Sequence, residues 1–116
     1  MNIGVCKETA ENETRVALTP EGVEKLRKDY LDIFVESMAG ELSSYTDEDY
    51  KQAGASIVES RDEVLKNCDL LMAVQAPGEA DIKKLKKEAI LVSFIWPLQN
   101  AGYVELLRKQ QISALA

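Results

Sequence analysis

The sequence contains no histidine and only two cysteines, Cys6 and Cys68. Without an imidazole there is no serine–histidine or cysteine–histidine pair, and no side chain whose ordinary pKa lies close to neutrality. A zinc site is effectively ruled out as well, since neither histidine nor a close cysteine pair is present. The two cysteines read as small buried thiols of a reducing compartment rather than as a disulfide. Positive charge is scarce: 14 Lys and Arg stand against 20 Asp and Glu, for a net charge of -6. Such a surface repels a nucleic-acid backbone, and no basic run offsets it. Long apolar runs are also missing. Leu70 to Val74 and Ile90 to Val92, the latter extended by Phe94 to Pro97, fall far short of the ~20 residues that cross a bilayer. Lys7, Glu8, Glu11 and Glu13 near the start argue against a secretory signal. Finally, the glycines at 4, 22, 40, 54, 78 and 102 never form the G-x-G-x-x-G turn of a dinucleotide site.

What is present is a single domain of 116 residues, 46% apolar, large enough to bury roughly two-thirds of its unfolded surface. Short β-rich runs alternate with helix signals, which predicts an α/β fold: a three-layer, mostly parallel sheet of about six strands with helices on both faces, flavodoxin- or Rossmann-like. The strands are read at Ile3–Cys6, Ile33–Val35, Ser56–Val58, Leu70–Val74, Ile90–Ile95 and Ile112–Leu115. Thr19-Pro20-Glu21 opens the first helix, with Val23, Leu26 and Tyr30 as its apolar face. Thr46-x-x-Asp49 and Ser60-x-x-Glu63 resemble capping boxes. Glu79 and Asp81 start a helix that Lys83, Lys84, Lys86 and Lys87 close, in keeping with the macrodipole. Asn100 caps a last helix through Arg108, with Val104 and Leu107 facing inward. Because a strand runs to the last residue, the polypeptide is expected to continue past Ala116.

Arg15 lies in a polar loop after the first strand, and ligands of parallel α/β sheets gather outside the carboxyl ends of strands. Its guanidinium either grips a carboxylate with two parallel hydrogen bonds, or is a surface residue paired with Glu8, Glu11 or Glu13. Gln75, Trp96 and Gln99 sit at or just past the ends of the fourth and fifth strands and are expected to face the same crevice. Gln75 can orient a polar ligand but carries no proton to give at neutral pH. Trp96 offers an apolar plate with one N–H, or packs in the core at a strand end. Paired carboxylates occur only at helix starts, where capping accounts for them. No catalytic, cofactor-binding or metal-binding residue emerges; Arg15, Gln75, Trp96 and Gln99 are candidate cleft residues.

The opening Ile3-Gly4-Val5 with Lys7-Glu8, the junction Glu13-Thr14-Arg15-Val16-Ala17-Leu18-Thr19-Pro20 and the later Ala53-Gly54-Ala55 resemble the N-terminal domain of the alanine dehydrogenase/pyridine nucleotide transhydrogenase family. The likeness runs over essentially the whole chain; lysine-forming saccharopine dehydrogenases share a weaker form of the arginine junction. Alanine dehydrogenases carry a substrate-binding lysine where Gln75 stands and a catalytic histidine where Trp96 stands. The runs Val74 to Pro77 and Phe94 to Asn100 look instead like the alpha subunit of the proton-translocating NAD(P) transhydrogenase. Ala101-Gly102 departs from its usual proline–glutamate, and Ala73 from a common lysine.

The resemblance implies a domain that packs beside an NAD(H)-binding Rossmann domain not contained in residues 1–116. Hydride would pass between NAD(H) there and NADP(H) on a separate component, coupled to proton movement through a membrane-embedded component. The implied full-length subunit is a homodimer, cytoplasmic and peripheral to the inner membrane through its complex, and is not itself inserted. Residues 1–116 alone are expected to be inactive and to hold no cofactor. The alternatives are an alanine dehydrogenase-like oxidoreductase domain or a non-catalytic α/β interaction module.

Overall fold

A computed structural model describes residues 1–29, 31–96 and 101–115. Six strands form one sheet: β1 (Asn2–Val5), β2 (Asp32–Glu36), β3 (Ser56–Val58), β4 (Leu70–Gln75), β5 (Ile90–Ile95) and β6 (Ser113–Leu115). Every neighbouring pair is parallel, in the order β3-β2-β1-β4-β5-β6. The chain therefore winds outward from β1 to one edge, returns to the centre, and winds out to the other. With crossovers of one hand, that reversal puts the connecting helices on opposite faces.

Five helices make those connections: α1 (Pro20–Arg27), α2 (Asp47–Ala53), α3 (Arg61–Asn67), α4 (Glu79–Lys84) and α5 (Ala101–Lys109), with a one-turn 3-10 helix at Glu41–Ser43. Two apolar clusters separate along the alternation of the strands. Ile3, Val5, Ile33 and Val35 bury against Leu18, Val23 of α1 and Tyr50 of α2. Leu71 and Leu91 bury against Val64, Leu65 and Cys68 around α3, Ile82 of α4 and Leu107 of α5. Cys6 and Cys68 are both free and buried, as expected.

Gly4 lies on the α3 side of the central strand, in register with Leu71 of β4. A Cβ built there would sit 2.8 Å from both Cys68 Cβ and Val64 Cγ1. The missing side chain is thus what lets α3 lie directly on β1. Across the sheet, Tyr50 is fully buried and its hydroxyl donates to the Leu18 carbonyl at 2.8 Å. That bond joins α2 to the loop entering α1.

The caps follow the local sequence. Thr19 Oγ1 accepts from Gly22 N–H, Ser60 Oγ from Glu63 N–H, and Thr46 with Asp49 forms a full capping box. Gly54 closes α2 at φ +111°, a left-handed backbone that side-chain-bearing residues rarely adopt.

Some boundaries and faces differ from the sequence expectation. The first strand is Asn2–Val5 rather than Ile3–Cys6. The fourth helix stops at Lys84, because Leu85 turns to an extended backbone and enters the core, so Lys86 and Lys87 lie beyond it. Ile112 is buried just ahead of β6, which is itself exposed. Val104 is 65% exposed rather than inward. The inner face of α5 is instead Tyr103, Leu106 and Leu107, which places Val104 on the solvent flank. Val104→Lys is expected to shift stability by less than about 0.5 kcal/mol, measurable as an unchanged denaturant midpoint. The readings of Tyr30 on α1 and Asn100 as a cap fall outside the described residues.

Candidate functional site

The sheet order reverses between β1 and β4, and the crevice beyond their carboxyl ends is the favoured ligand position of such folds. A small cavity of about 100 Å³ lies there, with Cys6, Lys7, Glu8, Arg61, Gln75 and Asp81 among its lining. Two polar clusters stand beside it: one shares Gln75 and Glu8 with the lining, the other Arg61 and Asp81.

The first cluster centres on Glu13. Arg15 grips its carboxylate in a fork, Nε donating to Oε2 and Nη2 to Oε1, each at 2.8 Å. The Arg15 backbone N–H adds a bond to Oε2 at 3.0 Å, and Gln75 Nε2 one to Oε1 at 2.8 Å. The Glu13 side chain is 4% exposed, whereas Arg15 is 62% exposed. The acid is therefore buried beneath an exposed guanidinium. Glu8 stitches the same wall together, its carboxylate accepting the backbone N–H groups of Val74 and Gln75 at 3.0 Å each.

Hydrogen bonds from the Arg15 side chain, Gln75 and the Arg15 backbone hold Glu13 from an ordinary 4.5 down to about 2. A carboxylate depressed by folding stabilises the native state above its unfolded pKa, and that stabilisation is lost as pH falls through the folded value. Acid melting is therefore expected to draw on this cluster between about pH 4.5 and 2. Arg15→Ala should flatten the pH dependence in that window, as read by thermal melts taken across it.

The second cluster centres on Arg61 at the first position of α3. Its Nη1 donates to the Lys7 carbonyl at 2.7 Å and to Glu36 Oε1 at 3.0 Å. Its Nε and Nη2 bind both oxygens of Asp81, at 3.1 and 2.7 Å. Glu36 Oε1 also accepts the Lys7 backbone N–H at 2.8 Å. One guanidinium thus joins the ends of β1 and β2 to the start of α4.

Of the cleft residues read from sequence, the structure brings Arg15 and Gln75 together, with Glu13 between them. Of the two readings of Trp96, the structure shows packing at a strand end: it lies against the α3–α5 cluster and meets Tyr103 edge to face at 6.1 Å. A half-buried position at the strand end, with an apolar cluster beside it, outweighs facing the crevice. Its Nε1 is buried without an acceptor among the described residues. Gln99 lies outside the described residues. Glu8, Arg61 and Asp81 carry no local sequence signal of a site, because their partners are distant along the chain.

Among the described residues the two clusters tie loops and strand ends together. Burial pushes the Cys6 thiol up to about 12 and Cys68 to about 11, so neither supplies a thiolate at neutral pH. Among the described residues there is no group of three or more His, Cys, Asp or Glu placed to hold a metal ion. Residues 6–19 between β1 and α1 are a polar loop rather than a tight glycine turn onto a helix start. No helix among the described residues is long and apolar enough to cross a membrane.

Comparison with known proteins bears on this geometry. The sequence model of the family described as "Alanine dehydrogenase/PNT, N-terminal domain" matches residues 4–116. An NAD(P) transhydrogenase subunit alpha from Haemophilus influenzae is 40% identical over all 116 residues, which span 22% of that protein. An alanine dehydrogenase from Staphylococcus saprophyticus is 41% identical over the same length, 31% of its chain. Among solved structures, an L-alanine dehydrogenase superposes over the whole chain with a TM-score of 0.93 at 31% identity, covering 32% of that structure. A transhydrogenase from Sinorhizobium meliloti gives 0.92 at 26% identity, covering 34%.

Proposed function

The chain belongs to the alanine dehydrogenase/PNT N-terminal domain family, and from that premise we propose that it is the N-terminal domain of an NAD(P) transhydrogenase alpha subunit. In this reading residues 1–116 do no chemistry themselves. They pack beside a following NAD(H)-binding domain of the same subunit, which exchanges hydride with NADP(H) on a second component. A membrane-embedded component couples the exchange to proton translocation. The full subunit is a homodimer at the cytoplasmic side of the inner membrane, and the isolated chain binds neither nucleotide.

The observation that carries the reading is the wall formed by Glu13, Arg15 and Gln75. The position where alanine dehydrogenases resembling this chain carry a lysine holds a neutral amide, spent on Glu13 at 2.8 Å. The position of their histidine holds Trp96, packed on Tyr103. Neither can move a proton in a keto-acid amination. The alanine dehydrogenase relatives are as similar in sequence, so the two readings are separated by activity.

The test uses the full-length subunit with its partner components. Hydride transfer from NADH to an NADP analogue is expected, with Gln75→Ala retaining the rate within about twofold, as for a residue outside the reacting atoms. Pyruvate- and ammonia-dependent oxidation of NADH, abolished by Arg15→Ala, would replace this reading with the alanine dehydrogenase one. A native polypeptide ending at Ala116 would leave only a non-catalytic interaction module.

A further inference from the structure

We propose that the groove between α2 and the loop following β2 is a docking site for a lysine- or arginine-bearing segment of a partner protein. The groove holds about 530 Å³ and shares no lining residue with the crevice cavity. Met38 and Tyr45 supply its apolar surface, and Glu41, Asp47, Glu48 and Lys51 stand around them. Met38 is the residue that the fold alone does not account for. Its backbone is left-handed at φ 68°, a conformation disfavoured for any residue with a Cβ. Its side chain is 48% exposed, so burial does not offset the strain. Strain of this kind persists where the surroundings impose it, and it gathers at ligand clamps and binding loops.

Two anchors impose it here. The Asp47 carboxylate accepts the Met38 backbone N–H at 2.8 Å and the Ser37 hydroxyl at 2.6 Å. At Gly40 an added Cβ would stand 2.9 Å from both Tyr45 Cβ and the Tyr50 hydroxyl oxygen, so the loop lies directly on those two side chains. Leu42, 60% exposed, follows in the one-turn 3-10 helix. A fixed loop thus presents two apolar side chains to solvent, and the unbranched thioether of methionine adapts to the shape of whatever meets it. Charge selects the occupant. Glu41 and Glu48 have no ion-pair partner among the described residues. Across Tyr45 a second groove adds Glu21, Glu24 and Asp49 against Arg27. A second copy of the chain, with its net charge of -6, is repelled by that rim, as is a nucleic-acid backbone. A lysine or arginine fits it. The aliphatic stem lies along Met38 and the Tyr45 ring while the cation reaches Glu41 or Glu48.

The probe is an amidated peptide of three lysine–leucine pairs, titrated into the 15N-labelled 116-residue chain at about 150 mM salt. A glutamate–leucine peptide of equal length is the control. Amide shifts centred on residues 37–51, with half-saturation below about 1 mM, are expected. Glu41→Gln combined with Glu48→Gln should weaken binding at least about fivefold. Met38→Gly removes the contact and the strain together. It should bind at least about threefold more weakly, yet melt no lower than wild type. That pairing separates a residue kept for a partner from one kept for the fold. Shifts spread evenly over the acidic surface would overturn the site. So would an equal response to the glutamate–leucine peptide, no saturation by either peptide, or unchanged affinity in the double variant. Concentration-dependent shifts of the same residues without peptide would make the occupant a second copy and overturn the basic partner. A Met38→Gly chain that binds like wild type, or melts clearly lower, would overturn the role assigned to Met38.

Discussion

Gly4→Ala is expected to lower the melting temperature by roughly 5–15 °C, and Gly4→Val to leave little folded protein at physiological temperature. The added Cβ would stand 2.8 Å from Cys68 Cβ and from Val64 Cγ1. The first is tied directly to its backbone and the second is one bond further out, so relief requires α3 to lift from the sheet. Overpacking of this kind costs about 1–3 kcal/mol for one methyl group and more for a branched chain, and a domain near this size loses about 4–8 °C per kcal/mol. The cause is contact rather than backbone conformation, which can be checked in two ways. Gly4→Ala combined with Val64→Ala should recover part of the loss, giving a non-additive cycle. Gly78→Ala, where an added Cβ meets nothing within 4 Å, should melt within about 2 °C of wild type. Equal losses at Gly4 and Gly78 would refute the steric account.

Arg61→Met should cost about 2–4 kcal/mol. The Arg61 side chain is 25% exposed and its partners Glu36 and Asp81 are 16% and 15% exposed. Removing the cation leaves two acids and the Lys7 carbonyl with unmet bonds in a largely dry setting. That is the costly way to break an ion pair, tempered here by residual solvent. Arg61→Lys should restore little, because one ammonium cannot span both oxygens of Asp81 while also reaching Lys7 and Glu36. Replacing all three charged partners with neutral residues of similar shape should recover much of the loss. Urea denaturation of the single, conservative and triple variants measures this directly. A single Arg61→Met that melts like wild type would show that the clasp is not structural.

These two sites mark what could be read from the chain and what could not. Wherever partners are close in sequence, the elements are legible. Thr46 and Asp49 bond each other's backbone three residues apart, and the parallel α/β architecture follows from strands and helices that alternate. Arg15 follows a run of acids in its own loop, and of the two readings open to it the structure shows the local one, with Glu13 as partner. Arg61 gave no signal, since its partners are 20, 25 and 54 residues away and only the closing of the sheet brings them together. Val104 misled for the opposite reason. Its spacing from Leu107 suits either flank of α5, and the choice of flank belongs to the packing of Tyr103 and Leu106 rather than to periodicity. Gln75 closes a strand that the apolar run before it announces, yet its contact with Glu13 depends on a loop turn at Asn12 that apolar pattern does not encode.

The two thiols have a consequence for how the domain's motion can be watched. Cys68 is 1% exposed and sits where α3 meets Gly4, while Cys6 is 6% exposed at the end of the same strand. Cys68 is buried in that seam, so alkylating reagents reach it only when the seam parts, whereas Cys6 lines the cavity and reports separately. The labelling rate of Cys68 therefore acts as an intrinsic clock for the separation of helix from sheet. The opening is timed by a residue already in the protein, with no probe added to disturb it.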